Sequence, residues 1–196
     1  MSIASLKGAR WVVAGAGVLG ASIAWKLARA GADVALCDPA AAGDNASGIA
    51  AGMLAPAMEA ALDPETGLDF SQLAAARDLW SAFAHDAGIA LDRSGAMLVG
   101  PEADRIATTL QALGAAHRRL SGEAAAALST GLTRAHPAVF TLEDWRLDAP
   151  SALGRLTRVA KEAGARIVLA AVTGFDGGRA ALSNGETFAA DGLVAA

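Results

Sequence analysis

The fold of this chain is decided by residues 11–38, which read WVVAGAGVLGASIAWKLARAGADVALCD. An apolar run leads into Gly15, an amphipathic stretch follows Gly20, and a second apolar run ends at Asp38. The pattern predicts a strand, a glycine turn, a helix, a second strand and an acidic residue, in that order. A dinucleotide-binding βαβ unit requires the same order, so this stretch is more informative than an isolated G-x-G-x-x-G motif.

Hydrophobic periodicity sets the bounds of these elements. Two parallel strands are predicted at 10–14 and 33–37, joined by a helix over about 18–30. Steps of three and four residues along this helix predict a core-facing side formed by Ile23, Leu27 and Ala30. The predicted fold class is therefore α/β with a Rossmann-like core.

The three glycines of the turn have separate predicted roles. Gly15 lets the chain leave the strand in a tight turn that a Cβ would oppose. Gly17 leaves room for backbone N–H groups to approach a diphosphate, and Gly20 lets the helix sit close to the sheet. Unpaired amides and the positive end of the helix dipole then face the phosphates. The predicted phosphate-binding residues are Gly15, Ala16, Gly17, Val18, Leu19 and Gly20.

Asp38 is the predicted ribose ligand. It follows Gly20 by 18 residues, close to the spacing of about 20 at which a carboxylate accepts hydrogen bonds from a ribose. A carboxylate there repels a 2′-phosphate, so FAD or NAD is favoured over NADP. The alternative, a glycine-rich turn that packs tightly and binds nothing, accounts less well for the flanking strands, helix and acid.

The segment after Asp38 bears on the choice of cofactor. An NAD dehydrogenase of the simplest doubly wound type begins another strand–helix unit at this point. Here residues 40–48 are rich in small side chains and are predicted as a loop. The predicted loop favours a flavoprotein over an NAD-dependent dehydrogenase, which stays the alternative.

Composition excludes several classes of partner. The 196 residues carry 16 basic and 20 acidic side chains and no long basic block, so no nucleic acid partner is expected. The single cysteine, Cys37, excludes an internal disulfide and fits a reducing compartment, so a cytoplasmic location is expected. Glycines interrupt the apolar N-terminal run, so neither a secretory signal nor a membrane-spanning segment is predicted. No metal site is predicted.

The middle of the chain is predicted as a region of helices and short strands. Two shorter helices, at 102–113 and 121–128, follow a long helix over about 69–87 that ends at Gly88. The apolar residues of the long helix that recur at core spacing are Leu73, Ala76, Leu79, Trp80 and Phe83.

The end of the chain returns to strands. A helix over 152–163, capped by Ser151, precedes them. The predicted strands are 166–171, 172–175, 179–182 and 192–196. Residues 1–60 and 150–196 are therefore predicted as the dinucleotide-binding domain, and 61–149 as an inserted α+β region belonging to a substrate domain.

Three parts of the sequence carry a family resemblance. They are the glycine turn with Asp38, residues 47–56 reading SGIAAGMLAP, and residues 147–150 reading LDAP ahead of a helix. This order resembles the glycine oxidase and D-amino acid oxidase family of FAD-dependent oxidoreductases, most of all the glycine oxidases of thiamine biosynthesis. The run of alanine, glycine, methionine and leucine over 50–54 is more discriminating than the glycine turn, because many dinucleotide folds share the latter.

The resemblance implies further cofactor contacts. Ser47 would donate its hydroxyl, Gly52 would allow a close backbone approach, and Met53 would pack near the isoalloxazine ring, although alone it would be an ordinary core methionine. Val172 resembles the residue whose backbone meets the adenine, and a core strand valine is an equally good interpretation. The cofactor-binding residues implied in these segments are Ala46, Ser47, Ala51, Gly52, Met53, Leu54 and Val172.

The resemblance also implies a reaction. In this family a small amino acid or amine gives a hydride to FAD, and O₂ reoxidises the flavin. Family members are nearly twice as long, and their carboxylate-binding arginine lies in the half that would follow residue 196, so no catalytic residue is assigned. The chain is expected to be an N-terminal portion, inactive alone, that needs a C-terminal half or a partner chain; a non-catalytic fragment or subunit is the other alternative.

Overall fold

The computed structural model divides the chain into two compact units. The first comprises residues 1–51, 87–89 and 148–196, and the second comprises 52–86 and 90–147. The structure describes residues 6–41, 43–63, 69–129, 131–132 and 135–196. Residues 52–60, predicted to belong to the dinucleotide-binding domain, lie in the second unit.

The described residues form six helices and twelve strands. The helices are α1 (Val18–Arg29), α2 (Pro56–Leu62), α3 (Phe70–Ala87), α4 (Ala103–Ala112), α5 (Gly122–Leu128) and α6 (Ala149–Glu162). The first six strands are β1 (Arg10–Ala14), β2 (Asp33–Cys37), β3 (Met53–Leu54), β4 (Ala96–Val99), β5 (Arg118–Leu120) and β6 (Ala138–Thr141). The others are β7 (Trp145–Arg146), β8 (Arg166–Val168), β9 (Val172–Asp176), β10 (Arg179–Leu182), β11 (Thr187–Ala189) and β12 (Gly192–Ala195). No helix in the described part of the chain is long and apolar enough to cross a membrane.

The first unit is built on a four-stranded parallel sheet in the order β12-β1-β2-β8. The predicted strands at 10–14 and 33–37 are confirmed with their bounds, and they pair in parallel. One face of the sheet packs into a core that includes Val12, Ala35, Leu182 and Ala190. The antiparallel sheet β11-β10-β9 supplies part of that core. The α/β class predicted from the sequence is confirmed.

The buried side of α1 differs from the predicted one. Ile23, Leu27 and Ala30 are only half-buried, whereas Trp25 is 3% exposed. The residues that α1 buries are Gly20, Ala21, Ala24, Trp25 and Ala28. Because four of these five side chains are small, α1 can approach the elements it covers closely, and the larger aliphatic residues stay on the outer side.

Helix α6 begins earlier than predicted. Asp148, and not Ser151, is its N-cap: the Asp148 carboxylate accepts a hydrogen bond from the Ser151 N–H at 2.9 Å. Aspartate caps as well as serine does, and Pro150 in the first turn favours the earlier start. The side chains that α6 buries recur at helical spacing and include Leu153, Leu156, Val159 and Ala160.

The last part of the chain has one strand more than predicted. The turn at Asn184 and Gly185 leads into β11, a three-residue strand that was missed, and β8 ends at Val168, three residues before its predicted end. Strands this short carry little periodicity, so the sequence pattern cannot distinguish them from loops.

The second unit contains the antiparallel sheet β4-β6-β5 and the two-stranded pair β3-β7. Its core includes Ile106 and Leu110 of α4, Val139 of β6, and Ala57 and Met58 of α2.

Helix α3 has nearly the predicted bounds, but its predicted core face is wrong. Leu79 is 74% exposed, whereas Ala84 and Ala87 are buried. An open cavity, and not the core, is bordered by Leu73, Ala76 and Trp80. The recurring apolar residues of α3 therefore line a concave surface.

An exposed ion pair of the first unit gives a testable pH effect. The Arg10 guanidinium lies 2.6 Å from the Asp191 carboxylate, which also accepts the Arg10 backbone N–H at 2.9 Å. These hydrogen bonds lower the pKa of Asp191 from 3.8 to about 2. The stabilisation from this carboxylate is therefore present above its unfolded pKa and is lost as the pH falls through about 2. In a carbon-detected NMR titration, Arg10→Gln should raise the Asp191 midpoint; an unchanged midpoint would contradict this account.

Candidate cofactor site

The glycine turn joins β1 to α1 and leaves no space for side chains at two of its glycines. Gly15 has φ +106°, and a Cβ there would overlap the carbonyl oxygen of Ala196. A Cβ on Gly20 would overlap the carbonyl oxygen of Gly15. Both glycines therefore allow the backbone to pass close to itself at the start of α1.

Ser47 lies beside the turn. Its Oγ accepts a hydrogen bond from the Val18 N–H at 3.0 Å. A Cβ on Gly17 would come within 3.0 Å of the same oxygen, so Gly17 leaves the room that Ser47 uses. The loop that follows β2 is thus folded back onto the first turn of α1, 29 residues earlier in the chain.

Asp38 also lies against the turn. One carboxylate oxygen accepts the Ala16 N–H at 2.7 Å, and the other accepts the Ala40 N–H at 2.8 Å. The side chain is half-buried at the end of β2, where parallel strands present their carboxyl ends. Each oxygen keeps a second lone pair for a further donor.

The turn still offers N–H groups to a ligand. No described residue accepts a hydrogen bond from the N–H groups of Gly17, Leu19 or Gly20. The other three N–H groups of the turn are paired: Gly15 donates to the Cys37 carbonyl at 2.8 Å, Ala16 donates to the Asp38 carboxylate, and Val18 donates to the Ser47 hydroxyl. The three N–H groups without a described acceptor belong to the N-cap and first turn of α1, where the helix dipole favours an anion.

A small cavity of about 120 Å³ adjoins Asp38. Its lining includes Ala16 and Asn45 on one side and Thr157 and Leu169 on another. Val172 is not among its lining residues; it lies half-buried in β9 and packs against the sheet core. The structure therefore brings together residues 15–20, Asp38 and Ser47, leaves Ala46 and Ala51 exposed, and places Val172 elsewhere in the first unit.

Gly52, Met53 and Leu54 belong to the second unit, where β3 pairs antiparallel with β7. Gly52 has φ +71°, and a Cβ there would overlap the Leu147 carbonyl oxygen. Position 52 therefore requires glycine because the Leu147 backbone passes close to it. The Leu147 N–H donates to the Gly52 carbonyl at 2.9 Å. Met53 is 44% exposed, which excludes the interpretation of an ordinary core methionine.

The segment Glu143–Arg146 holds these residues in place, and this role was not predicted from the sequence. Asp144 is fully buried, and its two oxygens accept the N–H groups of Ala57 and Met58 at 2.8 and 3.1 Å. The following two residues form β7, which pairs with Met53 and Leu54. Burial raises the pKa of Asp144, although the two N–H donors oppose the shift. The sequence places Asp144 directly after Glu143 and close to Arg146, and nothing in that pattern indicates which of the two acidic residues is buried.

The donors and acceptors at the glycine turn fit a dinucleotide cofactor. Free N–H groups at a helix N-terminus suit a diphosphate, and a carboxylate at the end of the second strand suits a ribose. Fold and site together define a dinucleotide-binding α/β protein. The family model described as FAD dependent oxidoreductase matches residues 10–196. The chain belongs to this family, whose cofactor is FAD; the predicted family and cofactor are confirmed.

Solved structures with this fold include oxidases of amino acids and amines. Glycine oxidase from Geobacillus kaustophilus is 26% identical over 95% of this chain and 54% of its own, with a TM-score of 0.78. Iminodiacetate oxidase from Chelativorans sp. BNC1 is 24% identical over 95% of this chain and 54% of its own, with a TM-score of 0.79. Glycine oxidase from Bacillus cereus ATCC 14579 is 23% identical over 97% and 55%, with a TM-score of 0.72. The chain spans about half the length of these proteins. The comparison with curated proteins gives no match.

Proposed function

We propose that this chain forms the FAD-binding part of an oxidase of small amino acids or amines, with O₂ as the electron acceptor. The observation that carries the proposal is the meeting of Asp38, Ser47 and three N–H groups at the glycine turn for which no described residue is an acceptor. The glycine oxidase likeness supports the substrate class. The thiamine pathway and the cytoplasmic location expected from the sequence stay predictions.

Each part of the turn has a role in this proposal. The N–H groups of Gly17, Leu19 and Gly20 would bind the diphosphate, and Asp38 would accept hydrogen bonds from the ribose. The 120 Å³ cavity beside Asp38 offers space for part of the adenosine. Gly15 and Gly52 act indirectly, since both relieve backbone overlap. Ala46, Ala51 and Val172 stay predicted contacts that rest on the family resemblance.

The flavin, when bound, supplies the chemistry of accepting a hydride and passing electrons to O₂. The protein has to hold the substrate and exclude water. We propose that FAD binding belongs mainly to residues 1–60 and 150–196, and that 61–149 contribute to substrate binding together with the part of 52–60 that lies in the second unit.

We further propose that the chain alone does not turn over substrate. A peroxide assay with glycine, sarcosine and FAD should give no signal above that of FAD alone; sustained peroxide production would overturn this part.

Flavin binding tests the proposal directly. After incubation with excess FAD and gel filtration, we expect the chain to retain a flavin absorption spectrum. Asp38→Asn should weaken FAD binding about tenfold, because the hydrogen bond of a ribose to a charged acceptor is worth about 1.5–3 kcal/mol. The matched control is Asp44→Asn, an exposed aspartate in the same loop. Flavin quenching titrations measure both variants.

Two results would contradict the assignment. If the wild-type chain retained no flavin at any FAD concentration, independent FAD binding would be excluded. If Asp38→Asn and Asp44→Asn bound FAD equally well, Asp38 would not be the ribose ligand.

A further inference from the structure

The second unit contains a cavity of about 220 Å³ between the β3–α2 corner and the first half of α3. Its walls are mainly apolar and include Met53, Pro56, Leu73 and Trp80. A water molecule takes up about 30 Å³, so the cavity has room for about seven groups of that size. Glycine, with five non-hydrogen atoms, would leave part of it empty.

Two of the described residues that line this cavity, Arg77 and Glu59, are ionisable, and the charge of Arg77 is already balanced. Arg77 donates to both the carbonyl and the carboxylate of Glu143, and to the Asp78 carboxylate at 2.8 and 3.0 Å. Its guanidinium also stacks over the Trp145 ring, 4.6 Å from the centroid. The Arg77 side chain is only 9% exposed. Arg77 is therefore committed within the unit and is a poor anchor for an anionic ligand.

The other ionisable side chain is Glu59, and it has no such partner. It lies on the exposed side of α2, and no described residue forms an ion pair or a side-chain hydrogen bond with its carboxylate. Among the described residues that line the cavity, Glu59 is therefore the charged side chain without an opposite charge beside it, and a carboxylate in this position favours a cationic ligand.

We propose that this cavity binds an organic ammonium ion that carries an apolar substituent. The Glu59 carboxylate pairs with the ammonium N–H groups at the rim, while Leu73, Met53 and Trp80 receive the apolar part. This inference rests on the proposed function and deepens it. The family resemblance implies that Met53 packs near the isoalloxazine ring, so a ligand in this cavity would lie beside the flavin. The preferred substrate is then an amine larger than glycine, and Glu59 contributes to specificity.

Binding of benzylammonium to the chain tests the proposal without flavin. Two-dimensional ¹H–¹⁵N spectra follow the Trp80 indole signal during titrations with benzylammonium, benzyl alcohol and benzoate. We expect saturable shifts with benzylammonium in the millimolar range, weaker ones with benzyl alcohol, and none with benzoate. Glu59→Gln should weaken benzylammonium binding about fivefold, as expected for one exposed ion pair of about 1 kcal/mol. The control Glu123→Gln, in the exposed first turn of α5, should not change binding.

Two outcomes would overturn the proposal. Equal shifts with benzoate or benzyl alcohol would show that charge plays no part. An unchanged affinity in Glu59→Gln would show that this carboxylate is not the partner. Both outcomes are independent of FAD binding. If the chain binds benzylammonium but not flavin, the proposed function alone is refuted. If it binds flavin but not benzylammonium, this inference alone is refuted.

Discussion

Replacing Gly20 by alanine is expected to lower the free energy of unfolding of the first unit by about 3 kcal/mol or more. The added Cβ would overlap the Gly15 carbonyl oxygen and lie 3.3 Å from the Ala196 Cβ. Backbone atoms cannot rotate away as a flexible side chain does, so α1 would have to move off the sheet. Urea unfolding followed by far-ultraviolet circular dichroism measures the change.

The matched control is Gly154→Ala in α6, another helical glycine of the first unit. Nothing lies within 4 Å of a Cβ at Gly154, and the residue is exposed. Alanine there should stabilise the unit by about 0.5–1 kcal/mol, because glycine loses more backbone entropy in a helix. Equal unfolding midpoints for the two variants would show that the tight packing at Gly20 contributes nothing to stability.

Removing the Asp144 side chain should destabilise the second unit by about 3 kcal/mol. Asp144→Ala leaves the N–H groups of Ala57 and Met58 without their acceptors in a site that water does not reach. Asp144→Asn should cost less, because one amide oxygen can still accept a hydrogen bond. Chemical unfolding monitored by the fluorescence of Trp80 and Trp145 measures both changes.

A control for Asp144 is Asp104→Ala, which removes an exposed ion pair with Arg119 in the same unit. Exposed pairs contribute little, so the unfolding midpoint should hardly move. An equally large loss in Asp104→Ala would mean that burial of the carboxylate is not the cause. Loss of the Asp144 carboxylate should also speed amide hydrogen exchange over residues 52–58, which it anchors.

The pH dependence of the Asp144 contribution has a defined sign. Burial raises the pKa of this carboxyl in the folded state above its unfolded value. Its contribution to stability is therefore fully present below the unfolded pKa and declines as the pH rises through the folded pKa. The stability difference between the wild type and Asp144→Asn should narrow over that range. A difference that widens with rising pH would contradict the raised pKa.

Sequence reasoning succeeded where the relevant contacts are close along the chain. The bounds of β1 and β2 and their parallel pairing follow from apolar runs separated by one helix. It failed where the partner is distant. Periodicity identified an apolar stripe on α1 but not that Trp25 lies on the buried side, because that choice depends on which elements cover the helix. The same holds for Leu79 of α3, whose spacing fits a core face although the residue is exposed.

The sequence alone determined the βαβ unit, the glycine turn and the acid at the end of the second strand, because glycine conformation and strand–helix order are local properties. Only the tertiary structure decided that Asp38 and Ser47 accept hydrogen bonds from two N–H groups of the turn, and that Asp144 binds N–H groups of α2, 86–87 residues earlier. It also decided that Arg77 is paired with Glu143, whereas Glu59 has no partner among the described residues. Each of these depends on side chains that meet only after distant segments have packed. Hydrogen bonds and ion pairs form between neighbours in space, and the order of residues does not specify those neighbours until the chain has folded.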